Sequence, residues 1–306
     1  MSLSHNDHLL DPKIDFVFKK IFTAHPDALV HLINDLRPDL PVITQITILN
    51  PEITAKDLTG KNIVMDLLAE DSEGEQYNIE MQVRNYNDWN KRGIYYLAQM
   101  LASQLQAGES YANLKGAVGI HLLDFDLFKE TQQQKQQALW RFEMRDGLQP
   151  KVKLGEDLQL NIIEMKKADR LGLGSQAIRD WITLFEHWKE EDKMSVITNP
   201  AVQQVRGYIR ELSADEKARQ LAEARAKAIR DEASLIEDAL KKGRQEGISI
   251  GEVKGEAQTL LKLIKLKFGQ HPEWVESRLN EATKDQLDVW VGKILTAATL
   301  DELLTD

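Results

Sequence analysis

The chain has 306 residues, of which 42% are hydrophobic and 29% are charged, so a sizeable core can form and global disorder is excluded. It contains no cysteine, which excludes disulfides and thiolate metal sites and indicates a reducing, cytoplasmic setting. The net charge of −10 excludes a globally basic nucleic-acid binder but leaves room for a local basic surface.

The N-terminal sequence MSLSHNDHLLDPKIDFVF lacks the basic start and long apolar run of a signal peptide. No stretch approaches the roughly 18 apolar residues that a membrane-spanning helix needs, so we expect no membrane partner.

The first half of the chain predicts a helix, three strands, a second helix and a further strand. The helical spacing of Asp11–Leu36 is interrupted by Pro26, which starts a new turn. Asp71–Gly74 is a turn signal between two strand-like runs and predicts a hairpin. The predicted strands and second helix are Ile43–Leu49, Asn62–Glu70, Tyr77–Arg84, the helix Lys91–Ala107 and the buried strand Lys115–Leu123.

The second half predicts two more strands and then helices only. The strands are Leu139–Arg145 and Leu158–Met165, and the helices are Ala177–Trp188, Ser213–Lys242 and the segment from Glu256 to the end. Strands that alternate with helices predict an α/β fold, with a mixed sheet flanked by helices and a mostly helical C-terminal region.

Four glycines recur every four residues from Gly243 to Gly255. A flexible linker and a helix–helix contact both fit this spacing. We therefore expect three parts: a sheet domain over residues 1–190, a charged helical segment with the glycine repeat over 191–255, and a small helical domain over 256–306.

Two acidic side chains in the predicted hairpin are candidates for a metal site. In Tyr77–Arg84, alternation places Asn78, Glu80, Gln82 and Arg84 on one face. If the turn centres on Glu73, paired residue numbers add up to 146, and Asp66 faces Glu80. Like charges about 5 Å apart are destabilising unless a cation lies between them, and a divalent ion with oxygen ligands fits.

A structural interpretation of the same residues remains open. The face could be a half-solvated surface that merely carries polar side chains. A register slip of one residue would also turn Asp66 to the opposite face.

These residues resemble the PD-(D/E)XK nuclease superfamily, and in particular its transposase-like branch of recombination-promoting nucleases. The resemblance covers residues 10–125 best and weakens towards residue 190. It is carried by the opening helix DFVFKKIF (15–22), the strand YNIEMQ (77–82), the helix from Arg92 to Leu105, and Gly108 with Tyr111. The last sixty or so residues resemble a helical domain of unknown function that is often found at such C-termini.

The resemblance implies metal-dependent hydrolysis of DNA. Asp66 and Glu80 would hold Mg²⁺, with Mn²⁺ as an alternative, and the backbone carbonyl of Met81 would add a ligand. Asp15 would be an outer acidic residue; its alternative is an ion pair with Lys19 on the same helix.

The chain departs from the superfamily pattern at Gln82, where lysine is usual. Glutamine can orient water or phosphate by hydrogen bonding, but it supplies no positive charge. The missing charge could come from Lys19, Lys61 or Arg84, between which the sequence does not choose. Tyr96 and Gln104 on the second helix either line the same cleft or have packing and surface roles.

For DNA contact, the basic clusters are Lys13, Lys19 and Lys20 near the first helix and Lys91 with Arg92 at the second. The acidic balance predicts an affinity for DNA that is modest, salt-sensitive or dependent on a local basic patch. The histidines lack ligand spacing, and His121 is expected to be an interior residue. No phosphate-binding loop or nucleophile elbow is present.

The first functional hypothesis is a Mg²⁺-dependent DNA endonuclease with limited sequence specificity that acts in recombination, mobile-element biology or defence. The second is a catalytically weak relative that binds DNA or protein through its C-terminal helices. The third is a structural protein that forms homo-oligomers through the long helix and its glycines.

Overall fold

The computed structural model describes residues 9–50, 67–85 and 89–305. Within them lies a six-stranded sheet in the order β1-β2-β3-β4-β6-β5. Its strands are β1 (Ile46–Ile48), β2 (Leu67–Asp71), β3 (Gln76–Gln82), β4 (Ala117–Leu123), β5 (Leu139–Glu143) and β6 (Leu158–Glu164). Strands β3, β4 and β6 are parallel, and the other neighbours pair antiparallel.

Helices cover both faces of this sheet and make up the C-terminal region. They are α1 (Asp15–Ala24), α2 (Pro26–Leu36), α3 (Trp89–Ala102), α4 (Gln132–Lys135), α5 (Met165–Leu171), α6 (Gln176–His187), α7 (Glu191–Met194), α8 (Pro200–Ala214), α9 (Glu216–Phe268), α10 (Glu273–Glu281), α11 (Lys284–Lys293) and α12 (Leu300–Leu303). The predicted α/β class, with a mixed sheet flanked by helices and a helical C-terminal region, is confirmed.

The hairpin of β2 and β3 has the predicted register. The described pairs run from Leu67 opposite Ile79 to Glu70 opposite Gln76, and their residue numbers add up to 146. The turn is held by the Asp71 carboxylate, which accepts the backbone N–H groups of Glu73 and Glu75 at 2.9 and 3.0 Å. Gly74 has a φ of 87°, a conformation that favours glycine. The part of the predicted strand before Leu67 lies outside the described residues.

The two faces of the sheet have separate hydrophobic cores. The larger core packs the side chains on one face of β3 and β4, including Ile79 and Ile120, against α1, α2, α6 and α8. The smaller core packs Ala117, Leu123 and Leu160 against Leu97 and Met100 of α3. Each strand therefore sends alternate side chains into two different environments.

The chain divides into two compact units, Met1–Lys227 and Ala228–Asp306. In the first unit the hydrophobic core extends through α8 to Ala222, beyond the boundary expected at residue 190. The second unit has its own core, which packs Ile264 against Leu287 and Trp290. None of the described helices is long and apolar enough to span a bilayer.

The glycine repeat does not interrupt the long helix. Helix α9 continues from Glu216 to Phe268 through all four glycines, so the segment is not a flexible linker. The linker alternative rested on the cost of each glycine to a helix, about 1 kcal/mol relative to alanine.

A buried ion pair fixes the chain that connects β4 to β6. The Glu164 carboxylate accepts Nζ of Lys167 at 2.6 Å, and both side chains are 1% exposed or less. Nε1 of Trp140 and the backbone N–H of Phe128 also donate to Glu164, at 2.6 and 2.9 Å. Lys167 further donates to the carbonyl oxygens of Phe128, Gln134 and Gln137. Each buried charge is thus compensated by several partners.

Replacing Glu164 with glutamine should lower the free energy of unfolding by about 3 kcal/mol, because the Lys167 ammonium would stay buried without its counter-charge. Urea denaturation followed by tryptophan fluorescence measures this. The control is Glu156→Gln, which removes an ion pair with Lys153 whose glutamate is 66% exposed, and it should cost less than about 1 kcal/mol. Equal losses for both variants would contradict this account of the buried pair.

Candidate active site

A row of three polar side chains lies on the α3 face of β3. Nδ2 of Asn78 donates to Oε1 of Glu80, and Nε2 of Gln82 donates to Oε2 of Glu80, each at 3.2 Å. Alternation along the strand brings these residues together, since they are two positions apart. Both carboxylate oxygens of Glu80 are therefore held in place by neighbouring amides.

This row is buried, because α3 lies across it. Glu80 is 4% exposed and Asn78 is fully buried. The alternative of a half-solvated polar face is therefore wrong at these two positions. An interior carboxylate loses much of its hydration, so it persists only where hydrogen bonds or positive charges replace the lost water.

His121 lies beside Glu80 on the neighbouring parallel strand. The two residues are paired in the register of β3 and β4, and His121 is buried, as its strand predicted. Its ring packs against two glycines: a Cβ at Gly93 of α3 would lie 3.0 Å from Cε1 of the ring, and one at Gly119 would lie 3.5 Å from Nε2. These glycines let α3 approach the sheet closely over the histidine.

Helix α3 also brings Arg92 and Tyr96 to this group. Arg92 donates a hydrogen bond to the Tyr96 side chain, and Tyr96 is 7% exposed. Burial raises the pKa of Tyr96, the Arg92 guanidinium opposes this shift, and the Glu80 carboxylate adds to it. Burial lowers the pKa of His121, which Glu80 opposes and Arg92 reinforces. Glu80 and Arg92 thus act electrostatically on the same two rings.

Several predicted residues lie elsewhere. Asp66 and Lys61 lie outside the described residues. The Met81 side chain points away from Glu80 into the larger core. Asp15 begins α1, which packs in the larger core on the other face of the sheet from Glu80, and its carboxylate forms an ion pair with Arg225 of α9.

Gln104 is not on α3, which ends at Ala102 rather than at the predicted Ala107. Its amide bonds to the backbone of Lys115, accepting from N–H at 2.8 Å and donating to the carbonyl at 3.2 Å. This contact lies at the start of β4, whereas Glu80 pairs with His121 four residues after Ala117. Gln104 therefore holds a connecting segment and does not line the group around Glu80.

The predicted DNA-binding cations differ in exposure. Lys20 and Lys91 are exposed, and Arg92 is half-buried. Lys13 and Lys19 are only 7% and 6% exposed, so their charges face the protein rather than the surface. Spacing along the chain could not reveal this, because Lys19 lies on α1, which is buried on nearly all sides, and Lys13 precedes α1 and pairs with the distant Asp124.

The model of the PD-(D/E)XK nuclease family transposase matches residues 12–239. The chain belongs to this family. The match includes the hairpin, α3 and β4, so the group around Glu80 lies inside it. Comparison with curated proteins and with solved structures gives no significant match.

Membership in the PD-(D/E)XK family has general consequences for this chain. It indicates a nuclease- or transposase-related function, with DNA as the substrate class. Nucleases of this superfamily generally use divalent metal ions. The resemblance inferred from the sequence is thereby confirmed.

The side chains around Glu80 offer oxygen ligands of the kind that a hard cation prefers, although they do not form a complete metal site by themselves. Among the described residues, no group of three histidine, aspartate or glutamate side chains could hold a metal ion. Oδ1 of Asn78 is buried and has no hydrogen-bond partner within the described part of the chain. Together with the Glu80 carboxylate it offers oxygen atoms, which Mg²⁺ and Mn²⁺ prefer.

The sequence did not predict that Asn78, His121 and Arg92 would contact or surround Glu80. A signal existed only for Asn78, which shares the face of Glu80 by alternation. His121 and Arg92 reach the group through the pairing of β3 with β4 and through the packing of α3, and spacing along the chain shows neither.

A second charged cluster lies at the end of β4, on the face of the sheet opposite α3. The backbone N–H of Asp124 donates to the Gln82 carbonyl at 2.9 Å, which joins the ends of β3 and β4. The Asp124 carboxylate pairs with Lys13 and Lys166 at 2.9 and 3.0 Å, and Lys13 lies 3.4 Å from Glu186.

Two carboxyl groups share this cluster. Burial, and then the neighbouring Asp124, raises the pKa of Glu186 to about 7. Burial also disfavours the charged form of Asp124, but hydrogen bonds from Glu186, Lys13 and Lys166 outweigh it and lower the pKa of Asp124. Glu186 therefore holds a proton in the folded state over a pH range where it would be ionised in the unfolded state.

Glu186 should make the folded protein lose stability as the pH rises from about 5 to about 8. Its folded pKa lies above the unfolded value, so its contribution is fully present below the unfolded pKa and is lost as the pH rises through about 7. In the wild type this loss should lower the free energy of unfolding by about 1–3 kcal/mol. Glu186→Gln, whose side chain stays neutral, should not show this decrease. The free energy of unfolding, measured by urea denaturation at both pH values, tests this.

The matched control is Glu130→Gln, which changes an exposed carboxylate. It should leave the pH dependence as in the wild type. A slope that is the same in Glu186→Gln and in the wild type would rule out the proposed proton on Glu186.

Proposed function

We propose that the chain is a divalent-metal-dependent endonuclease that hydrolyses phosphodiester bonds in DNA with limited sequence specificity. We place it in recombination, mobile-element biology or defence, and in a cytoplasmic setting that suits a chain without cysteine. The observation that carries the proposal is the buried carboxylate of Glu80, held between two amides on the strand that the family match includes.

Asp66 is the proposed second acidic ligand. It lies outside the described residues, so its position is an extrapolation: the register of Leu67–Glu70 against Gln76–Ile79, extended by one residue, predicts Asp66 opposite Glu80. Two carboxylates in neighbouring positions of a strand pair repel each other unless a cation lies between them. The register therefore favours a cation at this point.

The ligands that we propose are the Asp66 and Glu80 carboxylates and the backbone carbonyl of Met81. They would hold Mg²⁺, with Mn²⁺ as an alternative, and a bound ion polarises a phosphate and lowers the pKa of water. The chain orients these ligands: Asn78 and Gln82 fix the Glu80 carboxylate, as outer-shell partners do in metal sites. Gln82 is half-buried and can also hydrogen-bond a water molecule or a phosphate oxygen.

Arg92 is our candidate for the positive charge that Gln82 does not supply. It lies on α3 within electrostatic reach of Tyr96 and His121, the same two rings that Glu80 acts on. A half-buried guanidinium stabilises developing negative charge more strongly than a solvated one, because the local dielectric constant is lower. We therefore prefer Arg92 to Lys19, which is 6% exposed on a helix of the larger core, and Lys61 and Arg84 stay as alternatives.

Lys20 and Lys91 are the exposed cations that we assign to the DNA backbone. Two lysines on a chain with a net charge of −10 give weak electrostatic attraction. Binding should then be modest and should weaken as salt increases.

The test is cleavage of supercoiled plasmid DNA with Mg²⁺, with and without a chelator. Wild type should cut only when the metal is present. Asp66→Asn and Glu80→Gln should each reduce the rate by at least about a hundredfold, since loss of a ligand exceeds the effect of an outer-shell change. Arg92→Gln should reduce it by about ten- to a hundredfold and Arg92→Lys by less.

The matched control is Glu73→Gln, an exposed carboxylate in the turn of the same hairpin, which should cleave as wild type does. Circular dichroism of each variant separates loss of activity from loss of fold. Equal cleavage by wild type and Glu80→Gln would refute the site. DNA binding without metal-dependent cleavage in wild type would favour the catalytically weak relative instead.

A further inference from the structure

The long helix α9 carries a seam with a seven-residue repeat that is aliphatic or small at every position except Lys254 and Phe268. One row recurs every seven residues, and a second row follows it by four residues, the spacing of the two core positions in a coiled coil. The first row is Ala222, Ile229, Ile236, Gly243, Ile250, Ala257 and Ile264. The second row is Ala226, Ala233, Leu240, Gly247, Lys254, Leu261 and Phe268.

The seam is buried at both ends of the helix by the chain's own residues. Ala222 packs in the core of the first unit, and Ala257 and Ile264 pack in the core of the second. Between them the seam is uncovered: every residue from Arg230 to Glu252 is exposed, with Leu240 at 69% and Ile250 at 56%. The same repeat therefore serves as a packing surface wherever this chain covers it.

We propose that the exposed seam, residues 229–254, binds the same segment of a second copy of this chain in the antiparallel direction. This inference goes beyond the nuclease activity and does not rest on it. The segment is about 39 Å long at 1.5 Å per residue, which gives several layers of side-chain contact.

Size complementarity supports a copy of the chain as the occupant. In an antiparallel pair whose facing residue numbers add up to 483, the inner layers set a large side chain against a small one, and the outermost layer sets Ile229 against Lys254. Leu240 faces Gly243, Ile236 faces Gly247 and Ile250 faces Ala233, and the two-fold axis repeats each layer. A Cβ built at Gly243 or Gly247 would meet nothing within 4 Å, so both glycines leave open space for an incoming side chain.

Charge complementarity selects the direction. In the antiparallel pair, Glu237 of one copy lies beside Arg244 of the other, and the axis repeats this ion pair. A parallel pair would instead set Glu237 beside Glu232 and Gly243 beside Gly243, which combines like charges with empty layers. The same helix therefore fits itself well only in the antiparallel direction.

Light scattering of the full chain tests the association. At micromolar concentration the wild type should have twice the 34.9 kDa monomer mass. Gly247→Leu fills the space opposite Ile236 and should raise the dissociation constant about tenfold or more. The matched control Gly255→Leu makes the same change outside the seam, where a Cβ also meets nothing within 4 Å, and should stay dimeric.

Both glycine variants favour the helix, so a loss of dimer in Gly247→Leu is not a loss of helix. A monomeric wild type, or a Gly247→Leu protein that dimerises as well as wild type, would overturn the proposal.

Disulfide trapping tests the direction, and the chain has no cysteine to interfere. Oxidising a mixture of Leu240→Cys and Gly243→Cys proteins of different tagged mass should give a cross-linked heterodimer. Leu240→Cys alone should stay largely uncrosslinked. Efficient cross-linking of Leu240→Cys with itself would indicate a parallel pair and would overturn the antiparallel arrangement.

Discussion

A carboxylate held under a helix is the constraint on which the α3 side of this protein depends. Two side-chain amides donate to the two carboxylate oxygens of Glu80, and Arg92 acts electrostatically on the same two rings as Glu80, those of Tyr96 and His121. Helix α3 approaches closely enough to cover it because Gly93 leaves room for the His121 ring. The close packing of α3 on the sheet and the burial of the Glu80 carboxylate therefore depend on each other.

A second buried carboxylate on the same face of the sheet, Glu164 of β6, uses charge differently. Glu164 and Lys167 form a closed ion pair whose remaining hydrogen-bonding capacity is taken up by backbone groups and the Trp140 indole N–H, so it fixes a connection and leaves little for a ligand. Glu80 has only side-chain amides as bonded partners among the described residues, and Oδ1 of Asn78 beside it has none there. This contrast in how the oxygen atoms are satisfied is what distinguishes a candidate metal site from a structural ion pair.

The sequence predicted what depends on neighbours along the chain. The turn at Asp71–Gly74 and the alternation after it gave the hairpin register, and Pro26 gave the break between α1 and α2. It did not predict contacts between distant segments, such as the pair of Asp15 with Arg225 or the covering of Glu80 by α3. It also left a flexible linker and a helix–helix contact open at the glycines of α9, because propensity disfavours a helix there, and the helix is continuous through them.

The most direct test of the central claim is Mn²⁺ binding without DNA, titrated by the loss of the free-ion electron paramagnetic resonance signal. The account predicts that wild type binds the ion and that Glu80→Gln, with its fold intact, loses most of this binding, at least about tenfold in affinity. Binding with the same affinity and stoichiometry in both proteins would place the metal elsewhere and contradict the account.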